Sequence, residues 1–176
     1  LDIGMSWRLN GTSVGDFRAS FNAARLISFS RGVLDGVDDL ITAQEDGTIN
    51  SGTDLPESAD LIQQNGNPKW RYSTSLTWAL NQVRIGAHAR YVGGVYDTSL
   101  TNDVTGDTYL TDSHLVVNLF GEYNFDDGLL RESRIRVGVR NLFDNEPPIA
   151  DETYGYMGRL QSPIGRYLYV NVSKEF

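Results

Sequence analysis

Eight arginines carry most of the chemical potential of this 176-residue sequence. Arg8, Arg18, Arg71, Arg84, Arg90, Arg134, Arg136 and Arg140 each adjoin at least one apolar residue and share the interleaved phase with His88, His114, Asn118 and Glu122. Guanidinium forks bind carboxylates, phosphates and polyols through parallel hydrogen bonds. A row of them on one face suits a path for an anionic or polyol ligand. The commoner fate is pairing with carboxylates of neighbouring segments. The two histidines offer weaker chemistry. No H-E-x-x-H, G-x-S-x-G or Walker-type loop is present, and the sequence is not read as that of an enzyme. With no cysteine, thiolate metal sites, cysteine nucleophiles and disulfides are excluded. Asn102, Asp103 and Asp107 offer calcium-type oxygens, but not at EF-hand spacing, so no metal or other cofactor is expected.

The elements that must position these residues alternate with period two. Seven segments do so: Ile3 to Leu9, Phe17 to Phe29, Trp70 to Leu80, Val83 to Val95, Leu115 to Phe125, Ile135 to Phe143, and Ile164 to Phe176. On their apolar faces 35 of 42 positions are hydrophobic, and the interleaved positions are mostly polar. That contrast predicts strands with one apolar and one polar face. Their length, about 10 to 15 residues, exceeds the usual five or six and suits tilted membrane-spanning strands. Short connections (Gly11–Gly15, Asn81-Gln82, Asp126–Glu132) alternate with long ones at about 31–68, 97–112 and 144–163. Short turns at one end and long loops at the other predict an all-β, antiparallel transmembrane β-barrel, with the long loops extracellular.

Charge follows the same division. The net charge is -8, yet the three long stretches hold sixteen acids against Arg31 and Arg159. The remaining segments are net basic. Acidic loops on a basic frame argue against nucleic-acid binding. The cations on the apolar face are Arg25, Arg166 and Lys174. At about 3.3 Å per residue and about 45° tilt, Arg25 and Arg166 sit roughly 23 Å from the short-turn end, near the outer rim. Lys174 sits at the inner rim, so all three can reach lipid or lipopolysaccharide head groups. Trp7, Trp70, Tyr72, Trp78, Tyr91, Tyr123 and Phe176 can furnish aromatic girdles.

Arg140-Asn141-Leu142-Phe143-Asp144-Asn145-Glu146-Pro147-Pro148 resembles the NLFD-x-E-P-P stretch of TonB-dependent outer-membrane receptors. Pro163-Ile164-Gly165-Arg166-Tyr167-Leu168-Tyr169-Val170, with the ending Lys174-Glu175-Phe176, is similar to their last strand. Pro68-Lys69-Trp70-Arg71, Leu76-Thr77-Trp78 and Arg90-Tyr91-Val92-Gly93-Gly94 are similar to earlier strands of that family. Ser162 and Lys174 depart from the usual Asp and aromatic residue. The resemblance implies a 22-stranded barrel, of which residues 1–176 supply the last seven strands. It also implies an N-terminal plug, absent from this stretch together with the TonB-contacting box. The sequence opens inside an alternating segment without Met, signal peptide or lipidation motif, and is expected to be part of a longer chain.

The same resemblance implies TonB-energised uptake of a ferric siderophore, cobalamin, haem or oligosaccharide across the outer membrane of a Gram-negative bacterium. Its partners would be the plug, the TonB complex, the barrel-assembly machinery reading Phe176, and the ligand. Tyr96, Tyr109, Tyr154 and Tyr156, in the long loops, are the candidate ligand contacts, because aromatic faces suit sugar rings and planar chelates. The eight arginines would face the lumen and touch plug or ligand. The competing reading is a small structural or adhesive barrel. Seven strands count against it, because two unpaired edges in lipid are prohibitive.

Overall fold

The computed structural model describes residues 1–32, 36–53 and 59–175. The expected assembly signal Phe176 lies outside them, as do parts of the 31–68 stretch. The seven expected strands are present. They are β1 (Asp2–Thr12), β2 (Gly15–Arg25), β5 (Trp70–Leu80), β6 (Val83–Val92), β9 (His114–Phe125), β10 (Ser133–Arg140) and β11 (Tyr167–Lys174). They form one sheet in the order β1-β2-β5-β6-β9-β10-β11, every pair antiparallel and joined in chain order.

Register keeps the faces pure. Leu76 lies opposite Ala19 and Ala87, and Ala87 lies opposite Leu119. Val139 lies opposite Leu119 and Leu168. On the reverse face Ser75 lies opposite Ser20 and His88, and Arg84 opposite Glu122. Because side chains alternate with period two, a one-residue slip would exchange the faces completely. The short turns hold the register. Gly15 has φ 107°, and a Cβ there would sit 2.5 Å from the Ala79 carbonyl oxygen, so only glycine fits. Asn81 opens the Asn81-Gln82 turn with φ 52°, as tight hairpins require.

The apolar face is the exposed one. Met5 is 63% exposed, Leu76 53%, Ile85 51%, Val137 51% and Val170 68%. A water-soluble sheet buries such a face; a contiguous exposed one this large marks a surface made for an apolar medium. No described helix is long and apolar enough to cross a membrane, so any crossing falls to the strands.

Several boundaries differ from the sequence-based expectation. Strand two ends at Arg25 rather than Phe29, and Leu26 donates instead to the Lys69 carbonyl oxygen at 3.0 Å. Strand four ends at Val92, and Val95 turns into a small loop core with Val92, Ala150, Met157 and Leu160. The alternation continues through Val95, so sequence pattern alone could not separate lipid facing from loop burial. Strand six ends at Arg140: Asn141 adopts a left-handed φ of 50° and is buried, so it belongs to a turn and not to the face. Strand seven starts at Tyr167 rather than Ile164.

The long stretches are also more ordered than expected. The first holds α1 (Val37–Glu45) and a two-stranded ribbon of β3 (Ser30–Arg31) with β4 (Ala59–Asp60). The helix places Asp38 and Asp39 in its first turn, where the dipole favours acids. The second holds the hairpin β7 (Tyr96–Thr101) and β8 (Thr108–Leu110). These elements are too short to carry a periodic signal.

Candidate functional site: lumen wall and loop cap

The polar face of the sheet has two chemically distinct halves. Toward the short turns, Glu122 is buried between two arginines. Arg84 Nη1 lies 3.3 Å from one carboxylate oxygen, and Arg136 Nε donates to the other at 2.8 Å. Arg136 also stacks over the Phe120 ring, 4.5 Å from its centroid. The Phe120 ring lies across Gly86, where a Cβ would come within 2.3 Å of it. Arg18 and Asp16 complete this pocket of about 230 Å³. Arg84 and Arg136 are therefore satisfied within the wall. Arg8 and Arg18 lie directly opposite each other as like charges.

Toward the long loops the wall changes. Arg90, Arg140, His88 and His114 line one cavity of about 340 Å³, roofed by Leu160, Gln161 and Ser162. Arg140 stacks over Tyr167 and Tyr169 at 5.6 and 5.7 Å. His114 Nε2 lies 3.3 Å from the Asn145 carbonyl oxygen. The structure thus unites the two histidines that the sequence placed on separate strands. No carboxylate lines that cavity to orient either imidazole. Arg71 lines a neighbouring cavity with Asn22, Ser73 and Arg90, and Arg134 lies opposite Asn124 and Ser173.

Aromatic side chains band the apolar face at two heights. Trp70 stacks on Tyr72 at 5.5 Å, Phe21 stacks on Tyr72 at 6.0 Å, and Tyr91 meets Tyr72 at a tilt, centroids 5.4 Å apart. Arg25 caps this band over Trp70 at 5.1 Å. At the other end, Tyr123 meets Phe125 edge-on at 4.8 Å, and Trp78 Nε1 donates to the Val14 carbonyl oxygen at 2.8 Å. Trp70 and Trp78 are eight residues apart on β5, roughly 19 Å along the membrane normal at about 45° tilt. Two aromatic belts flanking an apolar band are the arrangement of a transmembrane barrel, whose band is about 25 Å tall.

The Asn141–Asn145 turn is the foot of the third loop. Asn141 Oδ1 accepts the Asn145 N–H at 3.0 Å, and Asn141 Nδ2 donates to the Asn145 carbonyl oxygen at 2.9 Å. Asn145 Nδ2 donates to the Leu115 carbonyl oxygen at 2.8 Å, and Asp144 Oδ1 accepts the Arg166 N–H at 2.6 Å. Asp and Asn side chains commonly bond nearby backbone in turns, as Asn141 does here toward Asn145. The structure shows that Asp144 and Asn145 also tie three neighbouring strands together.

Above this foot the long loops interlock. The Tyr96 N–H donates to the Gln63 carbonyl oxygen at 2.7 Å, and Asn65 Nδ2 donates to Thr98 Oγ1 at 2.6 Å. Arg159 reaches from the third loop to the Asn65 carbonyl oxygen. Asp97, nearly fully buried, accepts the Asp151 N–H at 2.6 Å and the Ser99 hydroxyl at 2.6 Å. Burial is the largest influence on Asp97 and raises its pKa. The hydrogen bonds from the Ser99 side chain and from the Asp151 and Ser99 N–H groups together outweigh it, so the carboxyl titrates below its ordinary 3.8. A depressed pKa stabilises the loop clasp above pH 3.8, and that contribution is lost as pH falls through the lowered value. Hydrogen exchange at the Asp151 amide, corrected for intrinsic rate, should stay protected from pH 7 to 4 and open below. Asp97→Ala should remove about 1.5–3 kcal/mol of that protection at neutral pH. Unchanged protection in the variant would refute the clasp.

The four candidate tyrosines separate into two pairs. Tyr96 and Tyr109 line one cavity of about 590 Å³ with Gln64. Tyr154 and Tyr156 contact each other, centroids 6.4 Å apart, and do not line that cavity. Asn102 turns its oxygen to the Val104 and Thr105 N–H groups, closing a turn. Among the described residues no group of three or more His, Asp and Glu side chains could hold a metal.

The model of TonB dependent receptor-like β-barrel domains matches residues 1–142. The chain belongs to the TonB-dependent receptor β-barrel family. No curated protein and no solved structure gave a match. The matched stretch covers β1 to β10 of the receptor barrel and stops inside the Asn141–Asn145 turn. Membership accounts for a sheet with an exposed apolar face and a polar, arginine-bearing one, as a membrane-spanning β-barrel has. The family consists of transporters rather than enzymes. It implies the Gram-negative outer membrane, a plug domain, the TonB complex and a transported ligand.

Proposed function

We propose that this chain is the C-terminal sector, the last seven strands, of a 22-stranded receptor that takes up a scarce nutrient with energy from TonB. The substrate would be one of a ferric siderophore, cobalamin, haem or an oligosaccharide. The observation that carries the reading is the open seven-stranded sheet itself. Its order ends at β1 and β11, and a sheet edge in hydrocarbon leaves backbone groups unpaired at several kcal/mol each. Further strands must therefore complete it, which weighs against a self-contained small adhesive barrel. In this arrangement the plug fills the lumen against the arginine-bearing wall, and the long extracellular loops make first contact with the ligand. The barrel-assembly machinery would recognise the C-terminal strand.

Deleting residues 145–162 of the full-length receptor is expected to abolish uptake while the barrel still assembles. That deletion also strips Ala150, Met157 and Leu160 from the loop core. Replacing Tyr96, Tyr109, Tyr154 and Tyr156 together by Ala is the finer test. Uptake should fall at least tenfold, the order expected when several aromatic contacts of about 0.5–1.5 kcal/mol each are lost. Full uptake by both variants would refute capture by these loops.

A further inference from the structure

The cavity between the β7–β8 hairpin and Gln64 has an unusual lining for its size. Its lining includes Tyr96, Tyr109, Thr98, Thr108, Asp107 and Gln64, and no Lys, Arg or His is part of it. Several of these groups are idle. The side chains of Tyr96, Tyr109, Thr108, Asp107 and Gln64 make no hydrogen bond to other described residues. Gln63 and Asn65 hold the Tyr96 backbone through bonds of 2.7 and 2.9 Å. Its volume, about 590 Å³, lies within the usual range of small-ligand sites.

We propose that this cavity binds an uncharged, polyhydroxylated ligand, a neutral saccharide. The inference rests on the uptake reading above and narrows its substrate. Idle hydroxyl, amide and carboxylate groups match a ligand rich in hydroxyls. A carboxylate accepts from two neighbouring hydroxyls at once, as a vicinal diol presents them. Tyrosine faces pack against the C–H face of a sugar ring while the phenol hydroxyls bond its rim. An anionic chelate fits poorly, because the cavity supplies no cation. The sixteen acids of the long stretches would also repel it on approach. The cationic part of the lumen, with Arg90 and Arg140, lines a separate cavity and does not alter this lining.

The test is calorimetric titration of the full-length receptor in detergent. The probes are neutral hexaoses of glucan, xylan and mannan type, a uronate hexaose of matching length, and a ferric catecholate. At least one neutral hexaose should bind, and the uronate and the catecholate should bind more weakly. Asp107→Asn and Tyr109→Phe preserve packing. Each should raise the Kd of the neutral probe, by roughly tenfold for Asp107, the size of one charge-assisted hydrogen bond. Binding of the charged probes alone, or neutral binding indifferent to both variants, would overturn the proposal. Uptake is scored separately in cells. TonB-dependent accumulation of the catecholate without saccharide binding sinks the substrate class and spares the transport reading. Saccharide binding without TonB-dependent accumulation sinks the transport reading and spares the substrate class.

Discussion

Leu76→Arg is expected to destabilise the assembled receptor by about 1–3 kcal/mol, between the cost of a cation at the bilayer midplane and that at the interface. Leu76 is at mid-length of β5, between Ala19 and Ala87 on the neighbouring strands, and is 53% exposed on the apolar face. Leu76 lies between the two aromatic belts, six residues from Trp70 and two from Trp78, and is farther from the short turn than Val83. Val83→Arg is the control, because Val83 begins β6 beside the short turn. There the same charge costs about 0–1 kcal/mol. Urea unfolding from liposomes measures both. Equal costs at the two positions would mean that the apolar face does not lie in hydrocarbon, and the lipid assignment would fall. Arg25 and Arg166 show the same rule in the native chain. Arg25 caps Trp70 at the end of β2, and Arg166 reaches the Leu142 carbonyl oxygen just before β11.

Removing the carboxylate of Glu122 is the second large expected loss. Among the described residues it is the acid ion-paired with both Arg84 and Arg136, and its side chain is 1% exposed. Glu122→Ala leaves two guanidiniums facing a gap, with Arg18 lining the same pocket. Breaking a buried ion pair from one side costs about 3–5 kcal/mol. Arg84 and Arg136 keep 41% and 36% of their side-chain exposure, so water softens the loss to roughly 2–3 kcal/mol. The double variant Glu122→Ala/Arg136→Ala should be less destabilised than the sum of its single variants, because the unpaired cation leaves with its partner. Strict additivity would show that the three residues are not coupled. A plug carboxylate docking at this pocket would compensate part of the loss. The measurement is therefore best made with the plug present, as in the native receptor.

The loop clasp and the lumen wall divide the work. Satisfied arginines near the short turns stiffen the wall. Arg71, Arg90 and Arg140, nearer the loops, line cavities. At the outer end Asp97, Arg159 and the core around Val95 and Met157 hold the long loops as one cap. A cap with its own core can present a shaped cavity, which separate floppy loops cannot.

The sequence by itself determined the strands, their faces and the alternation of short and long connections. Period-two patterning is a local property, and lipid on one side makes it unusually pure: Leu76, Ile85 and Val137 need no knowledge of their neighbours to be assigned. It also determined the charge asymmetry and the places of the short connections at Gly11–Gly15 and Asn81-Gln82. Only the tertiary structure decided where Val95 goes, because an apolar residue leaving a strand can meet lipid or a loop core with equal local preference. Only it joined His88 to His114, paired Glu122 with Arg84 and Arg136, and divided four tyrosines into two pairs. Those outcomes depend on register between strands up to tens of residues apart in the chain, and on loops whose short elements carry no periodic signal. Pattern specifies a face. Contact across strands and loops decides which residues on that face meet.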